Sequence, residues 1–157
     1  MDDPYQLKPL EGRPSFWFLG GRVHVKVPGE RTDGHLSQLE FDDPLGQAPP
    51  LHVHEGEDEV WFVLDGRITF FVGERAFDLE AGAMAFGPRG VPHSYLVRSA
   101  RSRMLVSYGP AGIEQWFAEN GSPIAAIDDA PAPFDVGRII ASAERYGLRV
   151  VGPPPAL

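Results

Sequence analysis

GQAPPLHVHEGEDEVWFVLDG, residues 46–66, is the stretch from which the rest of the chain can be read. His52 and His54 stand one residue apart, and Glu59 follows after a short acidic turn. Side chains on a strand alternate between faces, so His52 and His54 share one face and Val53 takes the other. Two imidazoles so placed can meet one ion. Glu55-Gly56-Glu57-Asp58 turns the chain and brings Glu59 to the head of the next strand, where Glu59, Trp61 and Val63 share a face. An inward carboxylate heading an apolar strand is costly to bury without a cation. A second stretch, GAMAFGPRGVPH at residues 82–93, supplies a third imidazole. Its Pro88-to-Pro92 turn is rigid and fixes where the next strand begins, with His93, Tyr95 and Val97 on one face.

The bulk composition suits this reading. A chain of 157 residues with 43% hydrophobic content fits one domain that buries a substantial core. Its 18 glycines and 16 prolines put turns at short intervals, which favours an all-β fold. The formal net charge is -8, and Lys8 and Lys26 are the only lysines. An acidic chain without clustered basic residues is a poor partner for nucleic acid or an anionic membrane surface. With no cysteine, a metal site must be built from histidine and carboxylate. No apolar run approaches the roughly 20 residues of a membrane helix. The opening MDDPYQLKPL lacks an apolar leader. The expected location is the cytoplasm.

Along the chain, residues 1–15 read as a Pro-bearing extended arm, about 16–109 as a β-barrel, and about 110–157 as a helical C-terminal extension, all in one domain. Phe16 to Leu19 is a short apolar strand. Arg22 to Val27 alternates strictly, placing Val23, Val25 and Val27 on one face and Arg22, His24 and Lys26 on the other, so that His24 is expected to face solvent. His35 to Phe41 reads as a strand with His35 at the surface, and Asp42 to Gly46 as a loop. About six short strands follow between Pro50 and Gly109. Ile113, Trp116 and Phe117 give a short amphipathic helix. Residues 123–134 form an irregular connection. Asp135 caps a last helix carrying Val136, Ile139, Ile140 and Ala143, and Gly147 closes it.

These residues resemble the cupin family. Its first motif, G-x5-H-x-H-x4-E-x6-G, is met at Gly46, His52, His54, Glu59 and Gly66. Its second, G-x5-P-x-G-x2-H-x3-N, is met at Gly82, Pro88, Gly90 and His93, with Val97 in place of the final Asn, which is not a metal ligand in the family. The resemblance implies a double-stranded β-helix, a jelly-roll-like barrel, whose metal is bound by His52, His54, Glu59 and His93. Three imidazoles and one carboxylate suit one first-row divalent transition ion without distinguishing Fe, Mn, Ni, Co, Cu and Zn.

The C-terminal region, ending in YGLRVVGPPPAL, is similar to single-domain bacterial cupins described as quercetin 2,3-dioxygenase-like. That likeness implies a dioxygenase acting on a flavonol-like or other enolic aromatic small molecule, with Glu59 as ligand and general base at once. A non-redox cyclase or isomerase, and a small-molecule binder without turnover, use similar ligands. The expected substrate pocket is aromatic and aliphatic, lined by Trp61, Met84, Phe86 and Tyr95, with no Lys or Arg securely inside. Arg89 is expected to be solvated. Single-domain cupins commonly pair, so a homodimer is expected, with the N-terminal arm and Phe16-Trp17-Phe18 available for the contact.

Overall fold

Alternation of apolar and polar residues generates most of the architecture. A computed structural model describes residues 3–126 and 129–157. Met1 and Asp2 of the arm, and Ile127 and Asp128 of the irregular connection, lie outside the described residues. Twelve strands are present among the described residues: β1 (Ser15–Phe18), β2 (Gly21–Val27), β3 (Ser37–Pro44), β4 (Leu51–His54), β5 (Asp58–Asp65), β6 (Arg67–Val72), β7 (Arg75–Glu80), β8 (Met84–Gly87), β9 (His93–Val97), β10 (Arg101–Gly109), β11 (Ser122–Pro123) and β12 (Leu148–Gly152). Two α-helices, α1 (Glu114–Asn120) and α2 (Val136–Ala143), and two short 3-10 helices, Gly29–Thr32 and Glu144–Tyr146, complete the regular structure.

The strands form two antiparallel sheets, β11-β1-β2-β3-β10-β5-β8 and β12-β4-β9-β6-β7. This is the double-stranded β-helix. Inward-facing Val23, Val25, Leu39, Phe41, Trp61, Val63, Ile68, Phe70, Met104 and Val106 fill the space between the sheets. Phe16 and Phe18 belong to this core, so the expected pairing surface at Phe16-Trp17-Phe18 is largely consumed inside the chain itself.

Two expectations change here. β3 runs on to Pro44, so Asp42 and Asp43 are strand residues with opposite faces rather than a loop. His24 is only 1% exposed. It shares a face with Arg22 and Lys26 as expected, but that face is covered. The arm runs along β2, with Arg13 N–H donating to Val25 O at 2.8 Å and Val25 N–H to Pro14 O at 2.9 Å. Gly12 sits on the His24 backbone so closely that a Cβ there would lie 2.8 Å from His24 Cα.

The helices roof one end of the barrel. Asp135 caps α2 as its sequence suggests, its side chain accepting from Arg138 N–H at 3.0 Å. The buried Glu114 carboxylate accepts from Gly29 N–H at 2.9 Å and Gly112 N–H at 2.8 Å, tying α1 to the turn after β2. Trp116 Nε1 donates to Ser142 Oγ at 3.0 Å and joins the two helices. After Gly147, which takes a left-handed φ of 69°, the chain enters β12 and pairs with β4. That strand was not expected from a Pro-ending tail. No helix among the described residues is long and apolar enough to cross a membrane.

Candidate metal centre

The two motif segments meet because β4 pairs with β9 at the register His52↔His93. Across the barrel, β5 carries Glu59 opposite them. The ring centroids of His52 and His93 are 4.6 Å apart, and His54 lies 5.2 Å and 5.3 Å from them. One donor atom from each of His52, His54, Glu59 and His93 lies within 4.8 Å of the others. Ligands bound at about 2.0–2.2 Å stand about 3–4 Å apart around one ion, so the set is slightly open and needs only small side-chain movement to close.

The hydrogen bonds orient these donors. His52 Nδ1 lies 2.7 Å from Pro50 O, His93 Nδ1 lies 3.0 Å from Val91 O, and His54 Nδ1 lies 3.1 Å from Glu57 Oε1. Each acceptor holds its ring in the tautomer that carries the proton on Nδ1 and leaves the Nε2 lone pair free. Trp61 Nε1 donates to Glu59 Oε1 at 2.9 Å. Glu59 Oε2 lies 2.9 Å from His93 Nε2 and 3.3 Å from His54 Nε2. Even so, among the described residues neither Glu59 Oε2 nor His93 Nε2 makes a well-formed hydrogen bond. Buried polar atoms rarely go unpaired, and atoms that converge without bonding one another fit a cation between them. Three neutral imidazoles and one carboxylate match the donor chemistry of a first-row divalent ion.

The four donors also act on one another electrostatically. Burial, with two further imidazoles facing it, pushes His52 down to about 3. Burial pushes the Glu59 carboxyl up, but the His54 and His93 imidazoles outweigh it and hold the group at about 2. Burial lowers His54, yet the Glu59 and Glu57 charges leave it raised. Tyr108 is held well above the ordinary phenol range by burial and the Glu59 charge.

The centre opens into a cavity of about 440 Å³, with Trp61 and Tyr95 in its lining. Met84 and Phe86 are not there. They are 52% and 51% exposed on the outer surface, which corrects the expected lining. Cross-strand partners share a face, and β5 pairs with β8 at Val60↔Phe86 and Phe62↔Met84. With Glu59 and Trp61 turned inward, Met84 and Phe86 must turn outward with Val60 and Phe62. The positions beneath Trp61 are small, Ala85 and Gly87, and a Cβ on Gly87 would collide with the indole.

The roof residues Trp116, Phe117 and Ile139, and the tail residues Pro153 and Pro154, also line the cavity and were not expected there. The sequence places Glu57 in a turn, and its position three residues after His54 is the signal for its hold on that ring. Arg89 is exposed and pairs with Asp58 at 3.0 Å, as its place in a surface turn suggests.

Residues 39–108 match the family model of the cupin domain. A quercetin 2,3-dioxygenase of Bacillus subtilis is 32% identical over 130 residues, which is 82% of this chain and 38% of that protein. The chain therefore spans well under half of that relative's length. Among solved structures, an RmlC-like cupin from Shewanella frigidimarina superposes with a TM-score of 0.59 at 16% identity, covering 72% of this chain and 96% of that one. KdgF from a Halomonas species gives 0.56 at 16% identity, covering 61% and 84%. At such identities these structures speak for the fold alone. Barrel, paired histidine motifs and matched segment agree, and residues 39–108 are a cupin domain.

Proposed function

We propose that the chain is a metal-dependent dioxygenase acting on a flavonol-like or other enolic aromatic molecule. The observation that carries this reading is the convergence of four oriented donors, two of them holding unpaired buried atoms, at a roofed and largely apolar cavity. Similarity to a quercetin dioxygenase supports the substrate class.

His52, His54, Glu59 and His93 hold the ion, which, when bound, acidifies a coordinated enol or phenol and mediates the reaction with oxygen. Pro50 O, Val91 O and Glu57 keep the three imidazoles aimed. Glu59 is the general base that takes the substrate's hydroxyl proton. The Trp61 indole N–H fixes that carboxylate in place. Trp116, Phe117 and Ile139 exclude water above the ligand. The exposed apolar strip of Phe62, Met84 and Phe86 supports a homodimer joined across that face.

Oxygen uptake by protein loaded in turn with each first-row ion, against a panel of flavonols, tests the reading. Uptake with at least one ion is expected. In Glu59→Gln, turnover should fall by roughly a hundredfold or more while ligand binding persists. No uptake with any ion would move the weight to a non-redox cyclase, isomerase or binder. Unchanged turnover in Glu59→Gln would remove Glu59 from proton transfer.

A further inference from the structure

A second polar position lies in the same cavity, separate from the metal ligands. Asp43, at the end of β3, and Tyr95, on β9, both line it. The Tyr95 hydroxyl donates to Asp43 Oδ2 at 2.8 Å. Among the described residues nothing donates to the other oxygen, Asp43 Oδ1. Asp43 is nonetheless buried, and it rests on Gly21 of β2, where any Cβ would overlap its carboxyl. A carboxyl set in an apolar cavity with one oxygen unused is costly to the fold. Phe18, Leu19 and Phe41, which line the same cavity, are apolar, and Gln47 is a further polar side chain in that lining.

We infer that Asp43, positioned by Tyr95, is a second substrate-binding group that takes a neutral hydroxyl at the end of the substrate remote from its metal-binding oxygen. The inference rests on the proposed dioxygenase reading and narrows its substrate class. Among the described residues no Lys or Arg lines the cavity, so a ligand carboxylate would meet Asp43 with no cation to offset it. A hydroxyl suits the position in either protonation state, because it donates to a carboxylate and accepts from a carboxylic acid. Burial, followed by the nearby Asp42 charge and opposed by the Tyr95 hydrogen bond, brings Asp43 up to about 7, so both states are present near neutrality. Tyr95 stands two residues beyond His93 on the same face, roughly 7 Å of strand. The substrate must therefore carry its second hydroxyl at least one aromatic ring away from the oxygen that meets the metal.

Anaerobic calorimetric titration of the zinc-loaded full chain with 3-hydroxyflavone and with each of its monohydroxylated derivatives tests the assignment. One derivative should bind about tenfold tighter than the parent. In Asp43→Ala that ratio should fall to about one, since a loosened cavity would weaken both ligands alike and leave the ratio untouched. Tyr95→Phe, which removes a single oxygen, should lower the ratio about threefold and carries the test if Asp43→Ala does not fold. A wild-type ratio near one for every derivative, or an undiminished ratio in the variants, overturns the proposal alone. Failure of 3-hydroxyflavone itself to bind means that the flavonol reading has failed, and the proposal falls with it.

Discussion

The sheet formed around β3 and β10 buries polar residues on both of its faces, and the two clusters are built on opposite principles. On the outer face, under the N-terminal arm, each carboxylate has its own cations. Glu40 accepts from Lys26 at 2.8 Å, Arg103 at 3.0 Å and Leu10 N–H at 3.1 Å. Asp42 accepts from Arg22 Nε at 2.7 Å and also pairs with Arg101. On the inner face Glu59 meets three imidazoles, and no Lys or Arg is present among the described lining residues. A cluster that serves the fold carries its own counterions. A cluster that leaves aligned lone pairs unpaired is arranged for an ion from outside.

The largest effect that would sharpen this contrast is on the inner face. His54→Ala and His93→Ala should each reduce bound metal from about one ion per chain to below a tenth, read by elemental analysis of purified protein. Each removes one of four donors and leaves the others too few to compete with water. The metal-free variants should still unfold cooperatively, because the core does not depend on either ring. Retention of a full metal complement would break the comparison at its first term.

On the outer face the expected effect is on stability alone. Glu40→Gln removes the charge that Lys26 and Arg103 share, and both cations are only partly exposed. Breaking a fully buried pair costs about 3–5 kcal/mol, and partial exposure of the cations brings the expectation down to about 2 kcal/mol. Urea unfolding should show that loss while metal content stays unchanged. If Glu40→Gln also emptied the metal centre, the two faces would be coupled rather than independent.

The inner cluster was legible in the sequence, whereas what covers each face was not. His52, His54 and Glu59 follow from a period of two and one turn, and His93 from a rigid Pro-Gly turn, all local signals. Met84 and Phe86 were misplaced because the alternation of β8 allows either face inward. Only the register with β5, and the bulk of Trp61 over Ala85 and Gly87, decides between them. Asp43 was hidden because Asp-Asp-Pro reads as a loop, whereas pairing with β10 at Ser102↔Asp43 keeps it in the strand. β12 pairs with β4 from the other end of the chain, and local composition carries no trace of that partner. His24 shows the same limit: alternation assigned its face correctly but could not show that the arm would cover it.

That histidine gives the smallest and most specific test of the outer cluster. Burial, with Arg22 and Lys26 adding to it and Glu40 opposing, pushes His24 down to about 4. Its Nδ1 lies 2.7 Å from Ser15 Oγ, and its Nε2 is buried with no partner among the described residues. In the unfolded chain the ring takes up a proton near its ordinary value of about 6.5. Between those two values the unfolded state binds more protons than the folded one, so stability rises with pH. The contribution of His24 is therefore fully present above about 6.5 and is lost as pH falls toward 4. Glu40 is held below its ordinary carboxylate range, so its own loss belongs to the acid end of that window. Between pH 7 and pH 5 the urea midpoint of metal-free protein should drop by more than that of His24→Gln. Subtracting one from the other removes the titration of His52, His54, Asp42 and Asp43, which both proteins share. Equal drops would mean that the ring is protonated in place and that water reaches the face the arm covers.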